Sequence, residues 1–122
     1  MPSVLIVDDE PNIAVSLDFL MRQEGYAVRT VHTAADALDA LEATPADVVL
    51  LDVMLPDGDG LDVCQTIRAN AAWKHTRVLM VSAKGRPVDE ARALALGADG
   101  YVVKPFAIRD VVARVRGLVE AG

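Results

Sequence analysis

The sequence predicts an α/β fold with one parallel sheet covered by helices on both faces. Two observations lead to this prediction. Short aliphatic runs alternate five times with segments in which apolar residues recur at helical spacing. The runs are apolar throughout, which is typical of strands buried on both sides of a parallel sheet. Strand–helix–strand units of this kind connect by right-handed crossovers, so a doubly wound sheet is expected.

The five predicted strands are short and rich in valine, leucine and isoleucine. They cover residues 4–7, 27–31, 48–51, 78–81 and 101–103. Five parallel strands linked by helices suggest the order 2-1-3-4-5. This is the flavodoxin-like (βα)5 arrangement, and we expect one domain over residues 1–122.

The predicted helices have clear start and stop signals. Pro11 and Pro87 stand at first helical positions, where a backbone N–H is not needed. Gly25 and Gly97 follow the last apolar residues of two helices, where a left-handed residue is favoured. The expected buried faces are Ile13, Leu17, Leu20 and Met21; Ala34, Ala37, Leu38 and Leu41; Leu61, Cys64 and Ile67; Ala91, Leu94 and Ala95; and Ile108, Val111, Val112, Val115, Leu118 and Val119.

Composition and charge exclude several classes of protein. The 122 residues are 52% apolar and 25% charged, which is ordinary for a globular domain. A net charge of −6 argues against direct binding of nucleic acid. The longest apolar runs have four residues, far short of the roughly 20 that a membrane span needs. With no secretory signal and the single cysteine Cys64, a cytoplasmic location is expected.

Polar side chains follow the predicted strands at their carboxyl ends. Asp8 and Asp9 follow the first strand, Asp52 the third, Ser82 the fourth and Lys104 the fifth. Because the first and third strands are neighbours in the predicted order, their three aspartates are expected to converge. Such a cluster is stable only if it is protonated, spread apart or neutralised by a cation.

Carboxylate oxygens without histidine or cysteine favour Mg²⁺, or alternatively Mn²⁺. Lys104 offers a compact positive charge and Ser82 a hydroxyl, and both are suited to hold phosphoryl oxygens. A carboxylate can also be the nucleophile that forms an acyl phosphate. The pattern therefore predicts a metal-assisted phosphoryl site.

At these residues the chain resembles the response-regulator receiver domains of two-component signalling. An acidic pair is followed 43 to 44 positions later by an aspartate, 30 further on by a hydroxyl residue and 22 further on by Lys-Pro. The resemblance covers essentially the whole chain. The matching segments are VLIVDDE (4–10), LDVMLPDGDG (51–60), VSA (81–83), GADGY (97–101) and KPF (104–106).

The resemblance implies a phosphoacceptor and a metal site. Asp52 would accept the phosphoryl group from a phosphohistidine on a sensor histidine kinase or a phosphotransfer protein. Asp9 would bind Mg²⁺ more directly than Asp8, together with Asp52 and the backbone carbonyl of Met54. Lys104 would contact the phosphoryl group, and its peptide bond to Pro105 would be cis.

The resemblance also implies a switch. Ser82 would contact the phosphoryl group, and Tyr101 would turn into the space behind it. The surface of the fourth helix, fifth strand and fifth helix would then change toward an unidentified output domain or protein. Asp99 and Arg114 resemble part of a dimer seam on that face, but Glu90 and Gly100 depart from the pattern. A monomer or a weak dimer strengthened by phosphorylation is therefore expected.

Two other functions remain as alternatives. A metal-dependent phosphatase or phosphotransferase of the haloacid dehalogenase type would place an Asp-x-Asp pair after the first strand. A flavodoxin-like cofactor binder would need a first loop rich in Ser, Thr or Gly, whereas Asp8-Asp9-Glu10 would repel a phosphate without metal. We expect Cys64 to serve packing, His32 and His75 to lie on the surface, and Trp73 to lie in a polar loop without assigned function.

Overall fold

The protein is an α/β domain with seven strands, seen in a computed structural model that describes residues 1–121. The strands in chain order are β1 (Ser3–Val7), β2 (Ala27–Val31), β3 (Val48–Asp52), β4 (Met54–Leu55), β5 (Gly58–Asp59), β6 (Arg77–Ser82) and β7 (Gly100–Val103). Five of them form a parallel sheet of order β2-β1-β3-β6-β7. The predicted order of the five long strands is confirmed.

Within residues 1–121, four α-helices connect the strands of the main sheet and a fifth follows β7. They are α1 (Pro11–Gln23), α2 (Ala34–Ala43), α3 (Gly60–Ala69), α4 (Pro87–Ala95) and α5 (Ile108–Ala121), with a 3-10 turn at Ala71–Trp73. Pro11 and Pro87 begin helices as predicted, and Gly25 and Gly97 adopt positive φ angles of 90° and 105°. No helix within residues 1–121 is long and apolar enough to cross a bilayer.

Alternate residues of the central strands enter two separate cores. On one face, Ile6 and Leu50 pack with side chains of α1 and α5. On the other face, Leu5 and Leu51 pack with side chains of α2, α3 and α4. The sheet is therefore covered on both sides, which explains why its strands are apolar throughout.

The predicted buried face of α4 is wrong. Ala93 is its buried residue, whereas Leu94 is 46% exposed and Ala91 and Ala95 are also exposed. Alanines at the alternate positions 91, 93 and 95 are compatible with more than one buried face, so the sequence does not determine which side of α4 packs on the sheet. The structure brings the small Ala93 against the sheet and leaves the larger Leu94 to solvent.

Trp73 also departs from its predicted place in a polar loop. It ends the 3-10 turn, is only 4% exposed and belongs to the core on the α2–α4 side. The sequence does not reveal this role for two reasons. The neighbours Lys74 and His75 are polar, and a single turn has no periodic pattern of apolar residues. His32 and His75 are exposed, and Cys64 is fully buried, as predicted.

Candidate functional site

Asp52 lies at the carboxyl end of β3, where the sheet meets the loops. The residue is 5% exposed. Its Oδ1 accepts a hydrogen bond from the Met54 backbone N–H at 3.1 Å, and its Oδ2 accepts one from Lys104 Nζ at 2.9 Å. Both carboxylate oxygens are therefore already oriented by donors, one in β4 and one directly after β7.

Three acidic side chains converge at this point. Asp8, Glu10 and Asp52 each offer a carboxylate oxygen within 4.8 Å of the other two. Asp8 is 3% exposed, and its Oδ1 accepts the backbone N–H of Glu10 at 2.8 Å. The parallel pairing of β1 with β3 brings the first and last of these acids to one edge of the sheet.

Lys104 forms ion pairs with all three acids. Its Nζ lies 2.8 Å from Glu10 Oε1, 2.9 Å from Asp52 Oδ2 and 3.4 Å from Asp8 Oδ2. Burial alone would lower the pKa of Lys104. The hydrogen bonds to Glu10 and Asp52 and the charge of Asp8 outweigh that effect and raise the pKa above its ordinary value. The ammonium therefore stays charged across the neutral range.

Burial acts in the opposite sense on Asp8. Desolvation raises the pKa of the Asp8 carboxyl above its ordinary value, with a smaller contribution from the nearby Asp52 charge. The Glu10 N–H and Lys104 oppose this shift only in part. Three carboxylates face the single ammonium of Lys104, so the cluster has more negative charge than Lys104 compensates, and this favours binding of a cation.

Asp9 occupies a different place from the other predicted acids. It is exposed and lines a groove of about 690 Å³ beside α1, together with Phe19 and His32. Convergence of the strand-end acids is confirmed for Asp8 and Asp52, but the third member of the cluster is Glu10. Sequence reasoning missed Glu10, although its position directly after the acidic pair was a usable signal. A ligand role for Asp9 stays a prediction.

Hard oxygen donors fit the predicted metal. The carboxylates of Asp8, Glu10 and Asp52 are of the type that Mg²⁺ and Mn²⁺ prefer. Met54, whose backbone carbonyl is a further predicted ligand, lies two residues beyond Asp52 in the short β4–β5 hairpin. The residues present are therefore compatible with a divalent cation at this edge of the sheet.

Ser82 ends β6 beside this site. It is 1% exposed, and its carbonyl accepts the backbone N–H of Lys104 at 2.7 Å. Tyr101 is also buried, with 5% exposure, and its hydroxyl donates to the carbonyl of Lys84 at 2.6 Å. The Tyr101 ring therefore lies inside the domain, and its role in a switch stays a prediction. The peptide bond between Lys104 and Pro105 is cis, as the resemblance implies.

Comparison with known proteins identifies the family. The family model of the response regulator receiver domain matches residues 4–116. The sensory transduction protein RegX3 of Mycolicibacterium smegmatis is 43% identical over 122 residues, which is 100% of this chain and 52% of the relative. The chain thus spans about half the length of the curated relatives that it matches.

Solved structures agree. Response regulator DrrB of Thermotoga maritima, an OmpR/PhoB homologue, has a TM-score of 0.90 at 31% identity, over 99% of this chain and 54% of that chain. The BeF3-activated DrrB receiver domain has a TM-score of 0.87 at 32% identity, over 98% of both chains. The chain belongs to the response regulator receiver domain family. It is a receiver domain of two-component signalling.

Asp99 makes its contacts inside the domain. Its Oδ2 accepts the backbone N–H of Val78 at 2.8 Å, and its carboxylate lies 3.6 Å from Arg77 and 3.9 Å from Arg68. Asp99 is therefore engaged by groups of its own domain, and its pairing with Arg114 of a second copy stays a prediction.

Proposed function

We propose that this receiver domain is a phosphorelay switch in which Asp52 accepts a phosphoryl group. The donor is a phosphohistidine of a sensor histidine kinase or of a phosphotransfer protein. The observation that carries this proposal is the contact of Asp52 with Lys104 at 2.9 Å inside a cluster of three acids. That arrangement offers a nucleophile, a fixed cation and hard oxygen ligands at one point.

The transfer itself needs little covalent chemistry from the protein. A carboxylate oxygen of Asp52 attacks the phosphorus, and the P–N bond to the donor imidazole breaks. The imidazole leaves with the bonding electrons and takes a proton from water. The Lys104 ammonium and the Ser82 hydroxyl hold phosphoryl oxygens, so catalysis is mainly positioning and electrostatic stabilisation.

Mg²⁺, or Mn²⁺ in its place, belongs to the same proposal. Asp8, Asp9, Asp52 and the Met54 carbonyl would hold it, and Glu10 adds a further carboxylate at this point. When bound, the metal supplies positive charge that offsets the charge of the acids and of the phosphoryl group. Lys104 alone faces three acids, so an incoming dianion needs this additional charge.

The domain acts only on its own Asp52 and does not turn over a metabolite. Its output is a change in the surface formed by α4, β7 and α5, which controls an output domain or partner protein. We place this switching in the cytoplasm, without direct nucleic-acid or membrane contact by this domain. A monomer, or a weak dimer strengthened by phosphorylation, fits the internal contacts of Asp99.

Labelling with acetyl phosphate tests this proposal. In MgCl2, the intact mass of the wild-type chain should increase by one phosphoryl group, and excess EDTA should prevent the increase. Incubation with p-nitrophenyl phosphate should release no phenolate beyond the background rate. Steady turnover of that ester would instead support the phosphatase alternative, and equal labelling in EDTA would contradict the role of the metal.

A further inference from the structure

The tip of the β4–β5 hairpin is hydrogen-bonded to the start of α2. Asp57, in the turn of the hairpin, uses both carboxylate oxygens for this contact. Oδ1 accepts the backbone N–H of Ala34 at 2.7 Å, and Oδ2 accepts that of Ala35 at 3.0 Å. These N–H groups belong to the first turn of the helix and have no partner within it. They hold the pKa of the Asp57 carboxyl below its usual range, so the contact persists at neutral pH.

Helix α2 has a separate cap of its own. The side chain of Thr33 accepts the backbone N–H of Asp36 at 3.0 Å. The bonds from Asp57 span 22 and 23 residues and join the turn of the hairpin to the first turn of the helix. Asp57 therefore links the hairpin to the rest of the domain, in addition to any contribution that it makes to the helix.

The base of the hairpin, opposite its tip, lies at the candidate site. Met54 pairs with Asp59 across the hairpin, and its N–H donates to Asp52 Oδ1 at 3.1 Å. The carbonyl of the same residue is a predicted metal ligand. A displacement of the hairpin tip is therefore transmitted over a two-residue arm to both the phosphoacceptor and this ligand.

The segment that receives Asp57 also contacts the first acidic loop. The His32 ring donates from Nδ1 to the backbone carbonyl of Asp8 at 2.8 Å. Residues 32–35 thus contact the loop that carries Asp8 on one side and the hairpin that carries Met54 on the other. This segment connects the two loops whose groups must keep a fixed spacing to bind a small cation.

We infer that Asp57 is a positioning residue that holds Met54 and Asp52 in place for Mg²⁺ through the start of α2. This role rests on the proposed function. It requires the bond to α2 and not merely a negative charge at the helix end. Groups that orient metal ligands typically change metal affinity by about 10- to 100-fold when they are removed. Because Asp57 acts through backbone, we expect the lower end, about tenfold.

The test is a titration with MgCl2 alone, followed by the amide NMR signals of the site loops. Asp57→Ala should weaken Mg²⁺ binding about tenfold, and Asp57→Asn, which keeps one acceptor oxygen, should restore part of the affinity. Thr33→Ala removes the helix's own cap but leaves the hairpin bonds. Asp36→Asn removes a charge from the same helix end. Both control variants should bind Mg²⁺ like the wild type, and thermal unfolding of all four reports the purely structural effect.

The outcomes separate the role of Asp57 from the function of the domain. Wild-type affinity in Asp57→Ala would overturn this role alone. So would equal weakening in Thr33→Ala, because a general loss of helix stability would then explain the result. A wild-type chain that binds no Mg²⁺ would overturn the metal dependence in the proposed function and, with it, this inference.

Discussion

Ser82 and Tyr101 are hydrogen-bonded to the backbone of the same residue, Lys84. The N–H of Lys84 donates to Ser82 Oγ at 3.0 Å, and the carbonyl of Lys84 accepts the Tyr101 hydroxyl at 2.6 Å. Ser82 Oγ can accept this bond and still donate its own proton to a phosphoryl oxygen, so the bond from Lys84 bends or breaks only if Oγ itself shifts toward that group. A shift of Ser82 would therefore be transmitted to Tyr101 in β7 through Lys84, which lies in the loop between β6 and α4.

Tyr101→Phe tests this connection. The variant removes the hydroxyl that donates to the Lys84 carbonyl and keeps the buried ring, so the free energy of unfolding in urea should fall by about 0.5–1.5 kcal/mol. Labelling by acetyl phosphate should stay at the wild-type rate, while amide exchange at residues 83–86 should become faster. A large loss of labelling would instead mean that Tyr101 takes part in the phosphoryl transfer itself.

Lys104→Met should destabilise the metal-free domain by about 1–3 kcal/mol. Lys104 faces Asp8, Glu10 and Asp52, and without it these acids repel each other with no fixed counter-charge. MgCl2 should recover part of the loss, so the rise in unfolding temperature with Mg²⁺ should exceed that of the wild type. Lys74→Met, at an exposed lysine outside the cluster, is the control. A Lys104→Met variant as stable as this control would contradict the account of the charges.

Asp8→Asn should stabilise the metal-free domain at pH 7, by about 0.5–2 kcal/mol. Burial raises the pKa of Asp8 above its ordinary value of 3.8, so the folded state holds this proton to higher pH than the unfolded chain. Ionised Asp8 therefore costs stability above that range. The cost disappears as the pH falls through the raised pKa and both states become protonated.

Unfolding of both proteins in urea, measured across pH, checks this sign. The advantage of Asp8→Asn should shrink as the pH is lowered from 7 toward 4. The same variant should bind Mg²⁺ more weakly, because it loses one anionic ligand. A destabilised Asp8→Asn at pH 7 would show that Lys104 already compensates the buried charge.

The fold was predictable because each of its signals is local or periodic. Apolar strands, Pro11 and Pro87 at helix starts and Gly25 and Gly97 at helix ends all lead to the observed order. The buried face of α4 was not predictable, since its alanines allow more than one side of the helix to pack against the sheet. The choice of Ala93 depends on packing against the sheet.

The candidate site was predictable to the level of strand ends. Asp52 and Ser82 end their strands and Asp8 and Lys104 directly follow theirs, so the topology alone brings these residues to one edge. Which neighbour joins them depends on side-chain reach and rotamer, and these admit Glu10 rather than Asp9 to the cluster. The bonds of Asp57 to α2 join residues 22 and 23 positions apart and leave no sequence signal.

The contacts of Asp99 support a prediction about the oligomeric state. Because this carboxylate accepts the N–H of Val78 and lies beside Arg77 and Arg68, we expect a monomer in sedimentation velocity without a phosphoryl mimic. Beryllofluoride with MgCl2 should leave it monomeric or produce only a weak dimer, since exposed ion pairs contribute about 0–1 kcal/mol each. A tight dimer that beryllofluoride does not change would show that this face is not the output surface.

The most direct test of the central claim is to locate the phosphoryl group. After labelling with acetyl phosphate and MgCl2, borohydride reduces an aspartyl phosphate to homoserine, which peptide mass spectrometry can assign to one position. We predict homoserine at position 52 alone and no labelling of Asp52→Ala. The control variant Asp62→Ala removes an exposed aspartate in the first turn of α3 and should be labelled fully. Homoserine at another aspartate, or full labelling of Asp52→Ala, would contradict the account.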